Sequence, residues 1–268
     1  MESQSRFEPV GRCIYCTRDG IAVPLSKEHI IPSGIGGRLV LPKASCSDCA
    51  DITKKIEDHV QTDMMQVVRH HFGLRQRRKA VIPKDRRVFT LGQSGAQWPL
   101  LPIRQHPTML CMPDLPPQRA LKPESPDDKI IWRTALLESS RTRREPVPFP
   151  KGTLLRTGFR LNVELFRRFL AKIAHSYAIA KIGFDSVEPF LPNGIMGNDD
   201  EEMRHLVGGQ SQNDHIMDQF DTYEHQLAIW PIDHDSGQIL VVAIRLFASL
   251  GMPTYEAIVG RARKEIVF

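Results

Sequence analysis

The chain of 268 residues has no apolar run of 18 or more, which excludes a membrane-spanning helix. Its opening stretch, Met1 to Arg12, has neither an apolar core nor a cleavage pattern, so no secretory leader is expected and the expected compartment is the cytoplasm. Cysteine is scarce, with five in all. In a chain without an export signal, so few thiols point to metal binding rather than to a disulfide framework. There is no phosphate-binding loop, no dinucleotide fingerprint, no serine-hydrolase elbow and no internal repeat. Those absences remove nucleotide-driven, serine-hydrolase and solenoid classes. A hydrophobic content of 41% still leaves enough material for one large soluble domain or two modest ones.

What the sequence does have is concentrated between residues 13 and 57. Four of the five cysteines fall into two identical knuckles, Cys13/Cys16 and Cys46/Cys49, separated by 29 residues. Four thiolates in that spacing suit a closed tetrahedral Zn²⁺ site, and two intervening residues let each knuckle curl round one ion. The fifth, Cys111, reads as a small hydrophobe. Between the knuckles, Ile21 to Leu25 is expected to form a short strand, with Glu28 and His29 at its end and Pro32 stopping it. Gly34, Gly36 and Gly37 mark a turn, and Leu39 to Leu41 a returning strand. From Ser47 the apolar period becomes helical through Ile52, Ile56 and Val60, and a second helical piece is expected from Thr62 to Phe72 with Gly73 as its stop. So small a unit has too little core to hold itself, so bound metal would supply part of its folding energy.

This stretch resembles the HNH endonuclease family, the treble-clef or ββα-metal nucleases, in its zinc-knuckle form. The resemblance covers roughly residues 10 to 72 and is carried by Glu28-His29-Ile30-Ile31-Pro32, by Gly36-Gly37 and by Cys46-Ser47-Asp48-Cys49. It implies that His29 is the general base, that Glu28 ligates a catalytic Mg²⁺ or Mn²⁺, and that Cys13, Cys16, Cys46 and Cys49 hold a separate structural Zn²⁺. The sequence departs from the family at Ala50, where Asn or His usually supplies a second ligand to the catalytic ion. Asp51, one residue on, is the candidate replacement. No Asn lies between Leu39 and Ser45, where the family commonly orients its histidine. The resemblance implies a metal-dependent endonuclease acting on DNA, or on RNA, in restriction, phage defence or mobile-element processing. The alternative is a catalytically degenerate zinc-knuckle protein that only binds nucleic acid.

The charge distribution is consistent with a phosphate-rich partner. Net charge is +4 over residues 1–80, +4 over 81–150 and −3 over 151–268. Arg75, Arg77, Arg78 and Lys79, followed by Arg86 and Arg87, are candidate phosphate contacts that would add salt-dependent affinity with little sequence choice. His59, His70 and His71 have no partner at metal-ligand spacing and are expected at the surface or in structural roles. Residues 80 to 150 hold 12 of the 20 prolines, which disfavours long helices there. Short strands are expected at Arg87 to Leu91 and Thr108 to Met112, and Lys129 to Glu138 reads as either helix or strand.

Asn162 is positioned to cap a helix reaching Ile182, with Leu165, Phe166, Phe169, Leu170, Ile173 and Tyr177 on a broad apolar face. His175 on that helix is expected to be packed. Pro189 to Gly197 reads as a loop, and Asp199 to Glu202 as the start of a short helix. Asp214, His215 and Asp218 read as polar surface. Glu224 to Trp230, Gln238 to Leu246 and Pro253 to Val259 read as strands. The expected architecture is α+β: a nuclease-like zinc module at 1–75, a Pro-rich basic connection at 76–155 and an α+β domain at 156–268. No membrane partner is expected, and a homodimer is compatible with cleavage of two strands.

Overall fold

The computed structural model describes residues 7–74, 85–87, 89–90, 100–102, 108–123, 129–137, 155–156, 161–197, 199–210, 224–235 and 237–266. The first strand begins later than its apolar residues suggest, and Asp19 is the reason. Its carboxylate accepts the amides of Ile21 at 3.0 Å and Ala22 at 2.7 Å, which closes a turn there. Ile21 is left 98% exposed. Strand β1 is therefore Leu25–His29, not Ile21 to Leu25, and Glu28 and His29 lie within it. It pairs antiparallel with β2, Val40–Cys46, longer than the expected return strand. Helix α1, Ser47–His59, follows directly. Its last turn widens into a π-helical segment, Val60–Met64, where the Met65 amide reaches the Val60 carbonyl at 3.1 Å. Helix α2 is Gln66–His71, shorter than expected because of that widened turn.

Three antiparallel pairs follow. β3 (Asp85–Arg87) pairs with β5 (Leu100–Pro102), β4 (Phe89–Thr90) with β8 (Leu155–Arg156), and β6 (Thr108–Asp114) with β7 (Ile131–Leu137). β7 resolves the choice at Lys129 to Glu138 in favour of strand.

Helix α3, Val163–Ile182, starts where Asn162 accepts the amides of Glu164 and Leu165, each at 3.0 Å. Next come β9 (Val187–Pro189), α4 (Pro192–Met196), α5 (Asp200–Leu206), β10 (Val207–Gly209), β11 (His225–His234), β12 (Gly237–Leu246) and β13 (Thr254–Ala262). The stretch from Pro189 to Gly197 is not the expected loop. Pro192 opens α4 at a position where a proline's missing N–H removes no helical bond.

The sheet runs β10-β13-β12-β11, with β9 also paired to β13. Helix α3 packs on β12 and β13. One hydrophobic cluster joins Ile14, Ile30 and Ile56 of the knuckle region to Phe169 and Ile173 of α3 and to Val241 and Ile258 of the sheet. The architecture is α+β, a ββα unit carrying the four knuckle cysteines abutting a helix-on-sheet unit. Among the described residues, no helix is long and apolar enough to cross a membrane.

Candidate metal centre and active site

The Sγ atoms of Cys13, Cys16, Cys46 and Cys49 all lie within 4.8 Å of one another, with Cys16 and Cys46 at 3.6 Å. Tetrahedral thiolates about 2.3 Å from Zn²⁺ stand roughly 3.8 Å apart, so this donor set fits the ion. Cys46 immediately precedes α1 and Cys49 lies in its first turn, so the positive end of the helix faces the sulfurs. Arg18 completes the electrostatics. Its guanidinium donates to Cys16 Sγ at 3.2 Å and to Cys46 Sγ at 3.4 Å, and is itself held by Asp48 at 2.7 Å. Burial pushes the Cys16 thiol up, but the Arg18 side chain and amide outweigh it and bring it down to about 6. Burial and neighbouring thiols push Cys49 strongly up.

The hairpin carries the second half of the site. The ladder pairs Glu28 with Leu41 and His29 with Val40, and a register shift between Ser26 and Glu28 places Lys27 in a bulge. Successive residues on a strand face opposite sides. Accordingly Glu28 is buried, while His29 is half-buried.

Glu28 meets Lys172 of α3, whose Nζ lies 2.6 Å from its carboxylate and 2.7 Å from that of Glu57. The same ammonium donates to the His29 carbonyl. Burial pushes the Lys172 pKa down, but the two carboxylates outweigh it and hold the amine protonated. Burial raises the Glu28 pKa against the attraction of Lys172, and Glu57 adds to the rise. Burial, then Glu28 and Glu57, raise the phenol of Tyr15 well above its usual value.

The loop after His29 is built to turn tightly. Gly36 has φ +98°, and a Cβ on Gly37 would fall 2.0 Å from the Ile31 carbonyl oxygen. Arg69 donates to the Gly34 carbonyl at 2.7 Å. His225 at the start of β11 donates from Nε2 to the Ile35 carbonyl at 2.8 Å, while its Nδ1 accepts the Phe247 amide at 3.2 Å. His175 of α3 likewise reaches the Ile14 carbonyl from Nε2 at 2.7 Å. Burial holds both imidazoles neutral, with pKa values of about 4.

The sequence-expected site residues thus divide. The four cysteines converge. Glu28 and His29 are adjacent on β1 but lie on opposite sides of it, and the Glu28 carboxylate is closed off by Lys172. Asp51 is exposed on α1 beside Ala50. Among the described residues, the cysteines are the only group of three or more His, Cys, Asp or Glu side chains close enough to hold an ion together. Arg86 and Arg87 lie on β3, paired with Leu101 and Leu100. Arg75, Arg77, Arg78 and Lys79 lie outside the described residues, as do Asp214, His215 and Asp218. Sequence reasoning missed Arg18, Glu57, Lys172 and His225. Only Lys172 left a trace, a lysine among the apolar positions of α3.

Comparison with known proteins agrees with this geometry. The family model described as HNH endonuclease matches residues 13–65, which span both knuckles, the hairpin, α1 and the π-helical segment. No curated protein and no solved structure matches the chain.

Proposed function

We propose that this protein is an endonuclease that hydrolyses DNA phosphodiester bonds, with His29 as general base on a zinc-clamped hairpin. One observation carries the reading. Within the segment that matches the HNH endonuclease model, four converging sulfurs flank a hairpin whose first strand ends in a half-buried histidine. Hydrolysis needs a water deprotonated next to phosphorus, and a neutral imidazole near the operating pH is suited to accept that proton. Cys13, Cys16, Cys46 and Cys49 hold Zn²⁺, which supplies rigidity and stays away from substrate. The basic residues Arg75, Arg77, Arg78, Lys79, Arg86 and Arg87 serve as phosphate contacts that draw in the backbone. A second copy of the chain would place a second His29 for the opposite strand.

The catalytic Mg²⁺ or Mn²⁺ implied by the family fits these donors poorly. Glu28 is 5% exposed with its carboxylate engaged by an ammonium, Ala50 offers no ligand, and Asp51, exposed on α1, belongs to no group of three or more ligating side chains among the described residues. We therefore assign no step to such an ion. Glu28 acts within the buried network, and His29 carries the proton transfer.

That same engagement of Glu28 favours a second reading, in which the module binds nucleic acid without cutting it. Incubating the full chain with plasmid DNA, single-stranded DNA and RNA, with and without Mg²⁺ or Mn²⁺, separates the two. Nicked or linear plasmid supports the endonuclease. Salt-sensitive binding with every substrate intact supports the second reading, and cleavage of RNA alone reassigns the substrate.

A further inference from the structure

Lys172 is wholly buried on α3 between Ala171 and Ile173, a place where leucine would avoid the cost of desolvating a charge. Its three N–H donors meet three close acceptors: the carboxylates of Glu28 at 2.6 Å and Glu57 at 2.7 Å, and the main-chain carbonyl of His29. The Ile30 carbonyl lies further off at 3.4 Å. No bond is left over for solvent or substrate. The ammonium therefore grips the side chain of the residue before His29 and the peptide group of His29 itself. Those two contacts restrict the backbone on either side of the His29 Cα and so fix the direction of its side chain. Glu57 anchors the ammonium from α1, the helix that also carries Cys49.

We infer that Lys172 is a positioning residue for His29, so that α3 from the far half of the chain completes the active site. This rests on the reading of His29 as the base. Arginine cannot substitute, since its planar fork is larger and does not place three donors around one point. The arrangement makes the hairpin a site only when α3 is docked on it.

The test uses the full chain, comparing K172M with the triple variant E28Q/E57Q/K172M, in which similar volumes are kept and all three charges of this cluster are removed. The triple variant is expected to keep its zinc and its cooperative melting. Its kcat should fall about tenfold to a hundredfold, the size of effect that a misplaced catalytic group produces, with KM little changed. In ¹H–¹³C spectra the His29 ring signal should move while those of His59 and His234 stay in place. An unchanged kcat with an unmoved His29 signal would show that Lys172 only fastens helix to hairpin, and would overturn the inference. If the wild-type chain cleaves nothing, the proposed function fails, and the His29 signal alone decides the positioning. If both variants unfold, the wild type still decides: Lys172 ammonium protons must exchange slowly and show contacts to His29, and their absence overturns the inference.

Discussion

The knuckle region and the helix-on-sheet region of this chain reach order by different means. In β1, Ser26 and Lys27 are exposed and only Glu28 is buried, so the strand contributes little apolar burial. Its order comes from hydrogen bonds to β2 and from four sulfurs drawn together at the ends. In α3, by contrast, every residue from Phe166 to Ile179 is buried, and β12 is buried from Leu240 to Ile244. That region is held by apolar burial, about 25 cal/mol per Å² removed from water. The difference places His29, the proposed base, on a strand with little apolar burial of its own. On the proposed reading a half-buried imidazole needs a rigid support, and a metal ion held by the four sulfurs would add to the one that the hairpin supplies. The two regions share one hydrophobic cluster, and polar contacts cross it as well: Lys172, His175 and His225 each reach a main-chain carbonyl of the knuckle region, at His29, Ile14 and Ile35.

Zinc removal breaks the contrast most severely. Structural zinc in small modules contributes on the order of 10 kcal/mol, so a strong chelator should unfold the knuckle region. Hydrogen exchange should then show protection lost over residues 13–59 and kept in α3, β12 and β13. Loss in both regions together would mean that the two fold as one cooperative unit.

Acid should weaken the junction next. His175 and His225 are held at about 4, below the ordinary 6.5 of histidine, because burial disfavours their charged forms. The unfolded chain therefore binds more protons, and stability falls as pH drops from about 6.5 to about 4. Each histidine accounts for about 3 kcal/mol at the full extent. Melting temperature measured across that range should decline steeply, and H225Q should reduce the slope. A flat profile would place the burial of these rings in error.

The smallest effect belongs to the helix-on-sheet region alone. N162A removes a side-chain cap and should cost about 1 kcal/mol, read as a lower melting temperature with zinc content unchanged. A loss of zinc in that variant would show tighter coupling of the regions than the contacts imply.

How much of this was legible in the sequence depends on whether local chemistry decided the outcome. The start of α3 was legible because Asn162 acts on amides two and three residues away. The cysteine cluster was legible because its spacing is itself the signal. The start of β1 was not, since the Asp19 side chain captures the very amides that an Ile21 strand would have used. Helix α4 was hidden because Pro192 and Gly194 usually mark loops, yet here proline occupies the first helical position. The roles of Glu28 and Lys172 were the least legible of all. Their partnership spans 144 positions, and no local pattern in either segment announces the other.

The central claim is that the zinc-clamped hairpin exists to present His29. Zinc content and DNA cleavage measured together on one preparation of H29A test it most directly. The account predicts a full complement of zinc, an unchanged melting temperature and cleavage reduced by about a hundredfold or more, as expected for loss of a general base. Wild-type cleavage by H29A with zinc intact would contradict it.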